Sequence, residues 1–256
     1  MPPGKLAGCT IIITRPVGTG ASLSQKVHTL GGIPLLLPGL SLRGASDPQH
    51  ARTQWLQAQH DDVLIFSSPA AVRYAMALAP LKKAHRAVIA VGKATARALQ
   101  RHGVDAQVPA ARQDSEGVLA LPPLQRSGGM RVALVGAAGG RGLMQQRLAE
   151  RGASLREVHV YQRAASRLTR RHREAVQQLP AAACILLSSA EALQNLRSQL
   201  PATAWERLCQ ATAVVSSERI GEAAQAAGFL RVHRAASANQ ADLLAAACDL
   251  HSRPSH

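Results

Sequence analysis

The chain has 256 residues, enough for one large domain or two ordinary ones, and its 30 Lys and Arg against 15 Asp and Glu give a formal charge of +15. That balance favours an anionic partner, but two Trp, two Tyr and two Phe are too few for a base-stacking surface. No apolar run approaches the roughly 20 residues of a membrane span, so neither nucleic acid nor membrane is expected as a partner.

In chain order, "CTIIIT" (9–14) predicts a strand, "GASLSQKVHTLG" (20–31) a helix and "IPLLLPGL" (33–40) a second strand. The alternation continues through "DVLIFS" (62–67), "PAAVRYAMALA" (69–79), "RAVIAVG" (86–92), "KATARALQRHG" (93–103), "RVALVGA" (131–137) and "RGLMQQRLAERG" (141–152). Short apolar strands alternating with helices predict an α/β protein with parallel sheets covered by helices. Gly31, Gly103, Gly152 and Gly228 each stand where a helix should end in a left-handed residue. The polar stretches 41–61 and 162–180 break the rhythm and predict linkers or amphipathic helices.

The order of elements is written twice. "VLIFSSPAAV" (63–72) returns as "CILLSSAEAL" (184–193), with Ser67 and Ser188 121 residues apart. At the same offset 10–32 falls on 131–153. After a four-residue slip "AVIAVGKATARALQRHG" (87–103) falls on "TAVVSSERIGEAAQAAG" (212–228), and "DSEGVLA" (114–120) on "NQADLLA" (239–245). The chain therefore holds two copies of one α/β unit.

In open parallel sheets, ligands bind at the carboxyl ends of strands, where Ser67, Ser68, Ser188 and Ser189 are predicted to lie. Ser68 before Pro69, and Ser189 before Ala190 and Glu191, have the form of helix N-caps, and a helix N-terminus suits a carboxylate. The glycines at 136, 139, 140 and 142 do not make a dinucleotide fingerprint, and no P-loop, G-x-S-x-G or paired carboxylates appear. No HExxH and no His, Cys or Asp cluster of metal-ligand spacing is present, so no metal is expected. Cys9, Cys184, Cys209 and Cys248 lack CxxC spacing and predict reduced thiols in a cytoplasmic protein.

The ordered pieces "IIITRP", "VLIFSSPAAV", "AVGKATARAL", "SEGVLA", "VHVYQR", "ILLSSAEAL" and "ANQADLLAAA" resemble the uroporphyrinogen-III synthase family over most of the chain. The resemblance implies two flavodoxin-like parallel-sheet domains joined by a two-stranded linker, with an active-site cleft between them. One discontinuous domain would comprise 1–39 and 165–256, the other 42–160, with linker strands at 40–41 and 161–164. It implies closure of hydroxymethylbilane, a linear tetrapyrrole with eight carboxylates, to uroporphyrinogen III, with inversion of ring D, loss of water and no cofactor. Substrate-binding residues carried over are Arg15, Ser67, Ser68, Gly92, Thr95, Ser115, Glu116, Arg141, Ser188 and Ser189, with Tyr161 as the catalytic candidate; Ser216 and Ser217 join the substrate-binding set as replacements for a hydroxyl the family motif would supply there. Ser217-Glu218-Arg219-Ile220 departs from the G-x-x-T that many members repeat in the second copy. A monomer in transient contact with porphobilinogen deaminase is expected. A non-catalytic two-lobed α/β protein that binds a small anionic ligand is the alternative.

Overall fold

The protein is described by a computed structural model over residues 4–82, 87–110, 112–139, 142–180 and 182–252. The elements in chain order are β1 Thr10–Ile13, α1 Ala21–Thr29, β2 Ile33–Leu36, β3 Leu40–Gly44, α2 Pro48–Ala58, β4 Val63–Phe66, α3 Pro69–Leu78, β5 Ala87–Ala90 and α4 Lys93–Gln100. They continue with α5 Ser115–Leu119, α6 Pro122–Gln125, β6 Arg131–Ala137, α7 Leu143–Glu150, β7 Ser154–Ala165, α8 Arg170–Gln177 and β8 Ala183–Leu187. The last are α9 Ala190–Gln199, α10 Ala202–Cys209, β9 Thr212–Val215, α11 Glu218–Ala226, β10 Val232–Arg234 and α12 Gln240–His251.

The chain forms two compact units, Met1–Ser41 with Ala164–His256, and Leu42–Arg163. The first holds a parallel sheet in the order β10-β9-β8-β1-β2. Numbered within the unit this is 2-1-3-4-5, the flavodoxin-like order, whose ligand site lies at the carboxyl ends of the strands beside the switch point. The central strands β1 and β8 are buried throughout, which is why "TIII" and "ACILL" are almost wholly apolar, whereas the edge strands β2 and β10 are partly exposed. Alternate side chains serve opposite layers. Ile12, Ile185, Leu187, Ala213 and Val215 pack with α8 to α11, whereas Ile11, Ile13, Cys184, Leu186 and Val214 pack with α1 and α12.

The second unit holds the sheet β3-β7-β6-β4-β5, in which β4, β5, β6 and β7 run parallel. Leu64, Phe66, Ala133 and Val135 face α2, α3 and α4, and Val63, Ile65, Val132 and Leu134 face α5, α6 and α7. Gln107 adds a parallel bridge beyond β5 at Ile89, where the first unit has β10.

The duplication explains both sheets. At the 121-residue offset β1-α1-β2 coincides with β6-α7-β7, and β4-α3 with β8-α9. The β-α-β opening of each copy therefore completes the sheet of the other copy. Gly31, Gly103, Gly152 and Gly228 all have positive φ at the helix ends where the sequence places them. The stretches that break the rhythm contain β3 with α2 and the end of β7 with α8, and α2 is anchored by the fully buried Trp55, whose Nε1 donates to Ala79 O at 2.9 Å. The chain passes between the units at 41–42 within β3 and at 163–164 within β7.

Candidate active site

The second unit contains a cavity of about 290 Å³ at the carboxyl ends of β4, β6 and β7, close to the roughly 300 Å³ lower bound of small-molecule sites. Its wall on the β4 side is Ser67 and Ser68. Ser67 donates through both its N–H and its hydroxyl to Val135 O, each at 3.1 Å. Gly136 permits this, because a Cβ there would stand 2.5 Å from Ser67 Oγ. Ser68 is the N-cap of α3, its hydroxyl accepting Ala71 N–H at 3.1 Å ahead of the preorganised Pro69.

Tyr161 adjoins Ser68 in the lining. Between Gly136 and Ala137 the β6–β7 register shifts, pairing Gly136 with His159 and Ala137 with Tyr161, so that Val160 is skipped. The shift re-aims the strand end, as bulges do beside binding sites, and Tyr161 joins Val158 and Val160 in one buried cluster. Tyr161 is 8% exposed, its ring stacks on Tyr74, and its Oη stands 3.2 Å from Ser68 Oγ. Either hydroxyl can be the donor of that pair.

The remaining wall sets polar side chains beside Leu134, Leu143 and Met144. Glu157 Oε2 lies 3.5 Å from His159 Nε2 and accepts from Gln145 Nε2 at 3.2 Å. Arg163 Nη2 donates to Ala138 O at 3.0 Å, and Ser115 closes the edge at the start of α5. Glu157, His159, Arg163 and Gln145 escape sequence reasoning; the one available signal is the alternation of Glu157 and His159 with the apolar Val158 and Val160 on one strand.

Four residues named from the sequence, Ser67, Ser68, Ser115 and Tyr161, thus meet at this cavity. Glu116 instead lines a neighbouring hollow between α5, α6 and α7, with its carboxylate 3.2 Å from Arg112 Nη2. Gly92 and Thr95 are not among its lining residues. Gly92 packs against Gln113, whose Oε1 takes Lys93 N–H at 2.9 Å, and Thr95 is 3% exposed. Arg141 lies outside the described residues.

In the first unit the register aligns the carboxyl ends of β1, β8 and β9, placing Arg15, Ser188 and Ser216 at the ends of adjacent strands. Thr14 Oγ1 donates to Leu186 O at 2.7 Å and ties β1 to β8 just before Arg15. Arg15 Nη2 donates to Ala238 O at 3.4 Å, while its Nε is buried with no hydrogen-bond partner among the described residues. Burial lowers the Arg15 pKa, yet a guanidinium remains charged at neutral pH. Ser189 Oγ is occupied by Ala192 N–H at 3.2 Å. Ser217 precedes α11 with no side-chain cap bond, and Ser188, Ser216 and Ser217 are half-buried. Among the described residues no group of His, Cys, Asp and Glu could hold a metal ion, and no helix is long and apolar enough to cross a membrane.

The chain is 28% identical over 245 residues to uroporphyrinogen-III synthase of Salmonella typhimurium, and 29% identical over 249 residues to that of Escherichia coli. Each alignment covers 93% of this chain and 99% of the relative. Among solved structures, uroporphyrinogen-III synthetase from Helicobacter pylori matches with a TM-score of 0.62 at 15% identity, covering 94% of this chain and 99% of that one. A mutant uroporphyrinogen III synthase from Thermus thermophilus matches with a TM-score of 0.58 at 20% identity, covering 93% and 96%. At these identities the structural matches speak for the fold. The family described as uroporphyrinogen-III synthase HemD matches residues 21–245, a span that begins with α1 and ends inside α12, and the chain belongs to that family.

Proposed function

We propose that this enzyme, a lyase of tetrapyrrole biosynthesis, closes hydroxymethylbilane to uroporphyrinogen III, and that the second unit's cavity is where hydroxide loss is assisted. The observation that carries the assignment of the cavity is the 3.2 Å contact between Tyr161 Oη and Ser68 Oγ on its wall. Ser68 Oγ already accepts Ala71 N–H. When Ser68 gives its own proton to Tyr161 Oη, the phenolic proton is left for the cavity. There it serves as a hydrogen-bond donor to the hydroxyl leaving the ring A hydroxymethyl carbon.

The reaction is a net loss of water. As the C–O bond on ring A breaks, the departing oxygen is stabilised by the phenolic O–H, and the ring A carbon becomes an electrophile. The substituted carbon of ring D attacks it to give a spiro centre. Ring D then breaks its older bond and rejoins in the inverted sense, and loss of a proton restores the pyrrole. The substrate closes unaided to the uninverted isomer once hydroxide leaves, so the fold of the bound chain decides the product.

Substrate carboxylates require donors. The Arg15 guanidinium, the hydroxyls of Ser188, Ser216 and Ser217 and the N-terminus of α11 supply them in the first unit. Ser67, Ser115 and the N-terminus of α3 do so in the second. Gly92, Thr95, Glu116, Arg141 and Ser189 belong to the same reading of the substrate-binding set, with the buried Thr95 needing local rearrangement to reach a ligand. The enzyme works in the cytoplasm as a monomer. Transient contact with porphobilinogen deaminase would shorten the exposure of a substrate that closes unaided. The binding-protein alternative accounts for two α/β units but not for the family match.

The test is to supply hydroxymethylbilane, oxidise the product and resolve the uroporphyrin isomers. Dominant type III is expected; type III no richer than in the enzyme-free control would refute the activity.

A further inference from the structure

We infer that Tyr74 is a positioning residue for Tyr161, an inference that rests on the role just proposed for Tyr161. The two rings stack with centroids 5.5 Å apart and planes 14° from parallel. Tyr74 is itself held at two points. Its hydroxyl donates to Leu42 O of β3 at 2.8 Å, and the Arg73 guanidinium carbon lies 4.7 Å from the centre of its ring. Tyr74 thus reaches from α3 to both strands that carry the chain between units, binding β3 through its hydroxyl and β7 through its ring.

The consequence for Tyr161 is orientational. A phenol has two side-chain torsions; packing at Tyr74 fixes the ring plane, and the Ser68 contact fixes where the hydroxyl lies within that plane. The register shift before Tyr161 releases it from the regular alternation of β7, so the strand alone does not dictate its direction. Misplacement of a reacting group by about 1 Å costs on the order of a hundredfold in rate, so a residue that only holds the ring can still be read in kcat. The cavity-lining residues do not include Tyr74, which therefore acts through Tyr161 rather than on the substrate.

The test is a double-mutant cycle on the full chain with hydroxymethylbilane, reading kcat, KM and type III fraction. Tyr74→Leu should lower kcat about tenfold with KM changed less than about twofold, whereas Tyr74→Phe, which keeps the stack, should retain most of kcat. In a Tyr161→Phe background, Tyr74→Leu should cost no further kcat, because the hydroxyl it positions is gone. If Tyr74→Leu shows no cooperative melting transition, Tyr74→Met fills similar space without a ring and reads the same cycle. Unchanged kcat in the folded variant, or the same factor lost in both backgrounds, would overturn the inference. Full activity of Tyr161→Phe alone would instead overturn the role of Tyr161.

Discussion

Ser68 Oγ stands 3.2 Å from Tyr161 Oη while accepting Ala71 N–H at 3.1 Å, so one hydroxyl both caps α3 and touches the phenol of the cavity. Its repeat-mate Ser189 caps α9 through Ala192 N–H at 3.2 Å. Ser68→Ala and Ser189→Ala should therefore each destabilise by about 1 kcal/mol in chemical denaturation, the usual cost of losing such a cap. Ser68→Ala should in addition slow turnover by severalfold, through the lost partner of Tyr161. An unchanged kcat in that variant would show the hydroxyl to be a cap alone.

Arg156 Nε donates to Asp61 Oδ2 at 2.9 Å, and the Asp61 side chain is 2% exposed. Removing the guanidinium strands a buried carboxylate. Because the Arg156 side chain is itself 35% exposed, the expected loss for Arg156→Met is about 2 kcal/mol, below the range for fully buried pairs. Arg170 pairs with Glu174 on an open surface, and Arg170→Met should change stability by less than about 0.5 kcal/mol. Equal losses in the two variants, measured by urea titration, would contradict the distinction.

Much of the fold is legible in the sequence because its signals are local. Strands such as "TIII" and "VLIF" are apolar on both faces, and each copy repeats its glycines and serines at one spacing. The pairing of β1 with β8 and of β6 with β4 crosses between the copies, and the duplication alone does not dictate it, because two like openings can each complete either sheet; the exchange is implied by the family resemblance. Most of the cavity is not legible. Glu157, His159 and Gln145 are ordinary polar residues until the β6–β7 register and the entry of α7 bring them to one wall. Thr95 shows the converse. Its place in a helix start suggests an open hydroxyl, but it shares an inward face with Ala98 and Leu99, spaced three and four residues on, and is buried with them.

Asp62 accepts Arg131 N–H at 2.8 Å, and this backbone bond, aided by the Arg131 guanidinium, holds its carboxyl below the ordinary range. A depressed folded pKa stabilises the protein above the unfolded value of about 3.9 and ceases to do so as pH falls through the folded value. Asp62→Asn keeps the shape and removes the charge. Its melting temperature should lie below that of the parent at neutral pH, and the gap should close in acid. A gap that stays constant across the acid range would show that ionisation of Asp62 does not contribute.

If the Tyr161 hydroxyl assists hydroxide loss in the cavity, its removal in Tyr161→Phe must show in the rate. With hydroxymethylbilane generated in situ by porphobilinogen deaminase, loss of one transition-state hydrogen bond should lower kcat about tenfold with little change in KM. The slower enzyme should lose ground to spontaneous closure, so the type I share of the oxidised product should rise as enzyme is limited. A variant with parental kcat and undiminished type III yield would leave Tyr161 no part in the chemistry beyond packing at the end of β7.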